Sequence, residues 1–482
     1  MQSDRVLTVT ALGVDPRAIA LTAAAAALGY RGVTIDIADL YSVCGELDET
    51  LTDLLVDSLL QTVAFDDIYA GIRLEAGSHV IDVLLRPGVT DSAGAELERA
   101  AARVGRRVAV TSGRRYRVHG VQPAAELDRL VRRLLANSVI EHWSIDAPLA
   151  AWAVPGGDVP AVERVAITEL ADDALVELGH ERGLSLDLDQ LNAIAAYFRN
   201  IGRQPTDAEL ETLAQTWSEH CAHTTFRADI RLADGTAVTP LLRQLHDATD
   251  RVGAPWVISA FVGNAGIVSF TPERTLAVKA ETHNHPSAVE PFGGANTGVG
   301  GVIRDVMGAA HRPIAVTDVL CFGPADLPDD QLPDGVLHPT RIAAGVVAGV
   351  ADYGNKIGLP TVAGAVLYDP DYTANPLVLC GCIGTAAVPA TELTGPHSGD
   401  RVVVIGGRTG RDGIRGATFS SRAMDAATGE VAGASVQIGD PVVEKLVIDV
   451  LADADGLYTA ITDCGAGGLS SAVGEMGEVL GA

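Results

Sequence analysis

The chain has 482 residues, 47% of them hydrophobic, and its 35 Lys and Arg against 62 Asp and Glu give a formal net charge of −27. A surface this acidic repels phosphate backbones and anionic headgroups, which disfavours a nucleic-acid-binding protein or a membrane-surface protein. The six cysteines form no C-x-x-C pair, and the sequence shows neither a targeting pattern nor an apolar stretch approaching about 20 residues. These features predict a cytoplasmic protein of roughly two to four domains.

Residues 1–150 contain an internal repeat with an offset of about 75 residues. Each copy opens a helix-like stretch after a Gly-Val pair, at Gly13 and Gly88, and ends it at a glycine, Gly29 and Gly105. In each copy, two strand-like runs flank the helix, a third run follows, and an amphipathic helix comes last. The three runs and the last helix are 6–11, 33–37, 41–43 and 51–60 in the first copy, and 80–85, 107–111, 116–118 and 127–136 in the second. This pattern predicts a duplicated βαββα domain, because two such units pair the sheets that neither can bury alone.

The rest of the chain divides into a linker and two further domains. Residues 151–215 begin with an Ala-, Pro- and Gly-rich segment and continue with two predicted helices, over 188–198 and from Thr206 to Thr216. Strand-like runs then alternate with helical stretches, which predicts a domain over 216–394. A turn at 395–400 precedes a predicted strand at Arg401–Ile405 and marks the start of a domain over 395–482.

Three motifs contain most of the chemically active residues. The first is Ser-Glu-His-Cys-Ala-His, which ends at His223, and the second is Lys-Ala-Glu-Thr-His-Asn-His-Pro, which starts at Lys279. The third is a glycine-rich run over 293–301 that leads into Arg304 and Asp305. We interpret the glycine-rich run as a loop that enters a helix and cradles phosphate with free amides, with Arg304 and Asp305 in the first turns of that helix.

The second motif suits a nucleotide phosphate together with its metal ion. If residues 276–278 form a strand, Lys279 and Glu281 project from the same face, which places a cation beside a carboxylate. Pro286 cannot continue a strand ladder, so we expect the His-Asn-His run to lie on an exposed loop. Glu281 and Asp305 are hard oxygen ligands of the kind that Mg²⁺ prefers. A zinc site formed by the histidines and Cys221, and loop histidines without a function, are the alternatives; the histidine spacings do not fit common zinc sites.

Together these motifs resemble phosphoribosylformylglycinamidine synthase, a member of the aminoimidazole ribonucleotide synthetase-like superfamily. The resemblance includes 202–226, the Lys279 motif, the run to Asp305, 345–364, 406–413, 436–441 and 463–469. The duplicated N-terminal unit resembles the small partner subunit of that synthase. The implied fold is α+β: a duplicated βαββα domain, a helical linker, and a two-domain aminoimidazole ribonucleotide synthetase-like module whose second domain is truncated.

The resemblance implies an ATP-dependent ligase of purine biosynthesis. Formylglycinamide ribonucleotide, ATP and glutamine-derived ammonia would give the amidine, ADP and phosphate through an iminophosphate. It implies His283 as proton acceptor and His220 as a second active-site histidine, with Lys279 and His223 contacting ATP. It also implies Mg²⁺ ligands at Glu281, Asp305 and Asp463, and substrate contacts at Thr282, Asn284, His285, Arg304 and Gln437.

Relatives in this family continue beyond the point that corresponds to Ala482, so we expect either a split synthase that needs a second polypeptide or an incomplete sequence. A glutaminase subunit or domain would supply ammonia in both cases. Thr224, Ala365 and Arg415 stand where the family pattern leads us to expect Lys, Glu and His. Two other functions stay open: a non-catalytic assembly or regulatory subunit that keeps the nucleotide site, and another phosphotransferase of the superfamily, such as one similar to selenophosphate synthetase.

Overall fold

A computed structural model describes residues 5–11, 15–45, 65–70, 77–86, 89–120, 124–137, 140–147, 149, 161–388, 393–407, 413–425, 436–437, 439–454, 456–478 and 480. These residues form an N-terminal sheet domain, a set of linker helices, a central domain built on a second large sheet, and a C-terminal helical region. No helix in these ranges is both long enough and apolar enough to cross a membrane.

The N-terminal sheet domain has one six-stranded antiparallel sheet in the order β3-β1-β2-β5-β4-β6. Its elements are β1 (Arg5–Ala11), α1 (Pro16–Ala27), β2 (Thr34–Gly45), β3 (Phe65–Ala70), β4 (Ser78–Leu85), α2 (Ser92–Arg103), β5 (Val108–His119), α3 (Ala124–Leu130), a π-helical turn (Val131–Leu135) and β6 (Glu141–Ile145). Apolar side chains of α1, α3 and the π-helical turn pack on β2, β4 and β5 to form the core.

The predicted βαββα unit is wrong in one respect. The second and third runs of each copy are not separate strands but belong to one long strand, β2 in the first copy and β5 in the second. The two strands pair along their full length, from Thr34 opposite His119 to Gly45 opposite Val108, and this unbroken ladder leaves no turn between the runs. The helix predicted over 51–60 lies outside the described residues.

Three linker helices, α4 (Asp172–Arg182), α5 (Leu188–Asn200) and α6 (Asp207–Trp217), share one apolar core. Both predicted helices of this segment are confirmed. α6 begins at a capping box, in which the Thr206 side chain accepts from the Glu209 amide and the Glu209 carboxylate accepts from the Thr206 amide. Two short helices, α7 (Glu219–Ala222) and α8 (Thr224–Arg227), then lead into the central domain.

The central domain begins with β7 (Ile230–Arg231), β8 (Ala237–Val238) and α9 (Leu241–Val252) and contains a sheet in the order β13-β12-β14-β11-β10-β9. Its remaining elements are β9 (Val257–Ser259), β10 (Gly266–Thr271), β11 (Arg274–Thr282), α10 (Asn284–Val289), α11 (Pro291–Gly308), β12 (Arg312–Phe322), α12 (Pro339–Ile357), β13 (Thr361–Tyr368) and β14 (Leu377–Ala387). Only β12 and β13 pair in parallel within this sheet. α11 and α12 cover one face of the sheet, and the core lies between them and the strands.

Two predictions about loops in this domain are wrong. The His-Asn-His run is not an exposed loop: His283 occupies the N-cap position of α10 without a side-chain capping bond, and Pro286 and Ser287 are buried in that helix. The glycine-rich run is not a loop either, because all of 293–301 lies inside α11. α11 starts at Pro291 with the Glu290 side chain as its N-cap, and Arg304 and Asp305 therefore lie in its last turns rather than its first.

The C-terminal region contains α13 (Gly416–Ser420), α14 (Pro441–Asp453) and α15 (Gly468–Glu478). The strand predicted at Arg401–Ile405 does not form, and the side chains of Val402, Val403, Val404 and Ile405 are all exposed. An extended segment becomes a strand only when a neighbour completes its hydrogen bonds, and the described residues provide none for this run.

Candidate functional site

One cavity of about 700 Å³ is lined by all the residues to which the sequence assigns a role. They come from the linker, from β11, α10 and α11, and from the C-terminal region: His220, His223, Lys279, Glu281, Thr282, His283, Asn284, His285, Arg304, Asp305, Gln437 and Asp463. The fold thus brings residues separated by more than 200 positions of sequence to one place. Their individual roles remain predictions.

The ammonium of Lys279 lies between two carboxylates at the centre of the cavity. Its Nζ is 2.9 Å from Glu281 Oε2 and 3.0 Å from Asp305 Oδ2. Lys279 and Glu281 project from the same face of β11, as predicted, because they are two residues apart on one strand. Asp305 reaches the pair from α11, which covers that face. Lys279 is one of only three lysines in a chain that otherwise uses arginine for its cations.

The charges in this cluster shift one another's pKa values. Burial lowers the pKa of Lys279, but Glu281 and Asp305 outweigh it and the pKa lies above its ordinary value. Burial raises the pKa of Glu281, but the Lys279 ammonium more than compensates and the pKa is lowered. Burial and the nearby Asp463 raise the pKa of Asp305 to about 7. Three carboxylates therefore face two cations, the Lys279 ammonium and, beside Asp463, the Arg304 guanidinium.

An excess of negative charge of this kind suits a divalent cation. In the described ranges, no three His, Cys, Asp or Glu side chains are grouped closely enough to hold an ion by themselves. Mg²⁺ usually binds one or two protein carboxylates and takes its other ligands from water and phosphate, so a complete protein cage is not needed. The assignment of Glu281, Asp305 and Asp463 as Mg²⁺ ligands stays a prediction, and it requires a nucleotide phosphate to complete the set.

His283 lies at the edge of the cavity. Its Nδ1 is buried and makes no hydrogen bond. Burial lowers the pKa of His283 to about 4, so the imidazole is unprotonated at neutral pH and free to accept a proton. Gly298 of α11 makes room for this ring, because a Cβ on Gly298 would lie 2.9 Å from His283 Cβ and 3.1 Å from Cys380 Sγ.

Two further predicted histidines, His220 and His223, come from α7 and its C-cap. His220 Nε2 lies 4.0 Å from Glu281 Oε1, and burial lowers the pKa of His220. His223 separates α7 from α8 and has a left-handed backbone with φ of 52°, a conformation that non-glycine residues seldom adopt. Such backbone geometry is concentrated at functional sites, and here it turns the chain where the first motif meets the cavity.

Arg304 is held by residues that the sequence analysis did not identify. Its Nη1 lies 3.2 Å from Glu444 Oε2, and the Tyr353 hydroxyl donates to the same carboxylate oxygen. Asp463 likewise accepts from Asn264 Nδ2 at 3.0 Å. The Asp440-Pro441 pair, which starts α14 and places Glu444 in its first turn, is a helix-start signal that could have pointed to Glu444.

Several predicted substrate contacts also hold the backbone. Asn284 Oδ1 accepts from the Val378 amide at 2.8 Å, and His285 Nε2 lies 3.0 Å from the carbonyl oxygen of Arg422. Thr297 Oγ1 donates to the carbonyl oxygen of Gln437 at 2.6 Å. These bonds tie α10 to β14 and join both domains around the cavity.

Comparison with protein families agrees with this architecture. The chain matches AIR synthase related protein, N-terminal domain, over 262–386 and AIR synthase related protein, C-terminal domain, over 397–481. It therefore has the domain pair of the AIR synthase-related proteins. It also matches the formylglycinamide ribonucleotide amidotransferase linker domain over 175–223 and a phosphoribosylformylglycinamidine (FGAM) synthase domain over 78–148. The resemblance to phosphoribosylformylglycinamidine synthase is thereby confirmed.

Two relatives matched by sequence support the same resemblance. The chain is 40% identical over 310 residues to phosphoribosylformylglycinamidine synthase subunit PurL of Thermoplasma acidophilum, covering 64% of this chain and 38% of that protein. It is 40% identical over 283 residues to the same subunit of Cutibacterium acnes, covering 57% and 34%. A solved structure of Thermotoga maritima PurL complexed with FGAR has 34% identity over 60% of this chain and 42% of that chain, with a TM-score of 0.46. The chain spans about two fifths of the length of these relatives.

Proposed function

We propose that the chain forms the ATP-dependent synthetase site of a phosphoribosylformylglycinamidine synthase. The proposed reaction converts formylglycinamide ribonucleotide, ATP and ammonia into formylglycinamidine ribonucleotide, ADP and phosphate. The observation that carries this proposal is the position of Lys279, 2.9 Å from Glu281 and 3.0 Å from Asp305, in the same cavity as the neutral imidazole of His283. The charged cluster that is proposed to bind phosphate and metal thus lies in the same cavity as the imidazole that is proposed to act as the base.

The reaction needs both parts of this arrangement. An amide oxygen is a poor nucleophile, so it attacks the γ-phosphate only when that phosphate is neutralised and a base removes the amide proton. Lys279 and His223 are proposed to bind the nucleotide, with Glu281, Asp305 and Asp463 holding Mg²⁺. Bound Mg²⁺ would neutralise the phosphate oxygens.

His283 is proposed to accept the amide proton as the oxygen takes up the phosphoryl group. Ammonia then attacks the carbon of the iminophosphate, and phosphate leaves with the former amide oxygen. His220, which lies 4.0 Å from Glu281, is proposed as the second active-site histidine. Thr282, Asn284, His285, Arg304 and Gln437 line the same cavity and are proposed to hold the substrate.

The proposed activity belongs to the complete enzyme, including regions of the relatives that this chain does not match. We propose that a second polypeptide or segment supplies those regions and that a glutaminase releases the ammonia. The duplicated N-terminal domain is proposed to act in this assembly as a built-in copy of the small partner subunit. These are proposals about the assembly, and the chemistry can be tested with ammonium chloride in place of glutamine.

Isotope transfer tests the proposed chemistry directly. The complete enzyme would be given formylglycinamide ribonucleotide labelled with ¹⁸O at the amide oxygen, Mg·ATP and ammonium chloride. Phosphorylation of that oxygen predicts one ¹⁸O atom in each phosphate released with the amidine. Unlabelled phosphate formed together with ADP would mean that water is the acceptor, and the proposal would be wrong. Calorimetry with the chain alone tests whether Mg·ATP binds.

A further inference from the structure

The N-terminal sheet domain contacts α10, which contributes residues to the cavity, and two neighbouring helices, α12 and α14. Asn137 Nδ2 donates to the carbonyl oxygen of Val289 at 3.0 Å, and Arg341 Nη1 donates to the carbonyl oxygen of Arg132 at 3.0 Å. Arg99 Nη2 lies 3.1 Å from Asp440 Oδ2. Val289 ends α10, Arg341 lies in the first turn of α12, and Asp440 caps α14. The N-terminal domain thus makes three polar contacts with the helices in and around the site.

Asn137 is the most buried of these contacts. Its side chain is 6% exposed, and its backbone amide donates to Glu141 Oε2 at 2.7 Å, so the residue is fixed within its own domain. The carbonyl it holds belongs to the last turn of α10, where helix carbonyls have no partner within the helix. Loss of this donor would leave the Val289 carbonyl buried without a hydrogen bond, which is costly.

The helix that Asn137 holds cannot keep its shape alone. α10 has six residues, far fewer than the roughly 12 that a helix needs to be even marginally stable in water. Its first residues, Asn284 and His285, face the cavity, and its last, Val289, is held by Asn137. The geometry of Asn284 and His285 therefore depends on contacts made from outside the helix.

The junction between α10 and α11 also meets a cluster of charges from the N-terminal domain. Glu290 caps α11 by accepting from the Gly293 amide. Arg114 of β5, Glu141 of β6 and Arg341 of α12 all lie near enough to influence its pKa, which burial raises to about 7. Arg114 and Glu141 form an ion pair. Two of these three charges, Arg114 and Glu141, come from the N-terminal domain.

We propose that the N-terminal domain positions the substrate-binding residues of α10 and that Asn137 is the positioning residue through which it does so. The inference rests on the proposed function for its substrate but adds a role for a residue outside the cavity. Lys279 lies on β11 and Asp305 in the 18-residue α11, whose many core contacts do not involve Asn137. Nucleotide binding should therefore be independent of Asn137.

The test replaces Asn137 by Asp, which keeps its shape but presents an oxygen to the Val289 carbonyl, and by Ala, which only removes the donor. In the complete enzyme we expect either variant to raise KM for formylglycinamide ribonucleotide by about tenfold or more, as for a lost buried hydrogen bond. Mg·ATP affinity should be unchanged. Amide hydrogen exchange over residues 284–290 should be faster than in the unaltered chain. Asn192→Ala, which removes an exposed hydrogen bond to Asp172 in the linker, is the matched control for the Ala variant.

Two results would overturn the inference. The first is unchanged exchange over 284–290 together with an unchanged KM. The second is a proportional loss of affinity for both ligands that follows the melting temperature, which is the result of a merely structural role. Exchange is measured without turnover, so it separates this inference from the proposed reaction. Faster exchange in a protein that does not bind formylglycinamide ribonucleotide would contradict the proposed function and leave the role of Asn137 intact.

Discussion

Arg304 and Glu444 form an ion pair that joins the central domain to the C-terminal region, with Nη1 and Oε2 3.2 Å apart. Arg304 comes from the last turns of α11 and Glu444 from the first turn of α14. The side chain of Glu444 is 7% exposed, so the pair is largely shielded from water. The direction of the Arg304 guanidinium in the cavity is thus set by the opposite domain.

The substitution Glu444→Gln should destabilise the protein because it leaves the Arg304 guanidinium without its charge partner. The Glu444 carboxylate is buried but the Arg304 side chain is 25% exposed at the cavity, so the loss of the pair should cost about 1–3 kcal/mol. We expect a clear decrease in the free energy of unfolding, measured by urea titration. Asp449→Asn is the control on the same helix, since its ion pair with Lys445 is exposed and worth little. Equal effects of the two substitutions would contradict the assignment.

The substitution His283→Ala should abolish amidine formation in the complete enzyme while Mg·ATP still binds, because it removes the base and leaves Lys279 in place. His246→Ala, which alters a half-buried histidine stacked on Phe261 and away from the cavity, is the control. Turnover retained by His283→Ala would show that another group accepts the proton.

The same histidine should make stability depend on pH. Burial lowers its pKa from 6.5 to about 4, so the unfolded chain binds a proton more readily than the folded one. Its contribution to the free energy of unfolding is present above pH 6.5 and is lost as the pH falls through about 4. Urea titrations at several pH values give the free energy of unfolding as a function of pH. Across this range, that free energy should change less steeply with pH for His283→Ala than for the unaltered chain. Identical slopes would mean that His283 titrates normally in the folded protein.

The substitution Lys279→Met should weaken Mg·ATP binding by about tenfold or more, because it removes the only ammonium between Glu281 and Asp305. Lys279→Arg should not restore binding, since a planar guanidinium cannot replace a compact ammonium held by two carboxylates. Calorimetry measures both, with Lys356→Met as the control at an ion pair of α12. Full binding by Lys279→Arg would show that only the charge matters.

The substitution Gly298→Ala should reduce both activity and stability, because its Cβ would come within 2.9 Å of His283 and 3.1 Å of Cys380. Overpacking of this kind costs about 1–3 kcal/mol. Gly301→Ala, three residues further along the same helix, is the control, since its Cβ meets only the Arg304 side chain at 3.8 Å. The melting temperature and the turnover rate are measured for both variants. Equal losses in Gly298→Ala and Gly301→Ala would rule out a close approach of Gly298 to His283.

The sequence correctly predicted those features that depend only on residues close together along the chain. The Thr206 capping box, the helix over 188–198 and the shared face of Lys279 and Glu281 depend on residues a few positions apart, and the structure has all three. The gathering of the site residues around one cavity followed from the family resemblance, since nothing local connects Gln437 with Lys279.

The errors arose where distant packing decides the local structure. Nine residues with five glycines predicted a loop at 293–301, yet glycine is the residue that lets α11 pass close to its neighbours. Gly300, for example, leaves space that the Tyr353 hydroxyl fills. The apolar run 401–405 had every property of a strand except a partner strand, and a partner cannot be predicted from the run itself.

The scarcity of lysine gives the site an internal reference for chemical labelling. Amine-reactive reagents modify only the unprotonated amine, and the two carboxylates that hold Lys279 raise its pKa and keep it protonated. Lys356 and Lys445, the other two lysines, lie on α12 and α14 outside the cavity. In a mass spectrum, the modification of Lys279 relative to these two therefore reports how firmly the carboxylates hold it, without any substitution and at any stage of assembly.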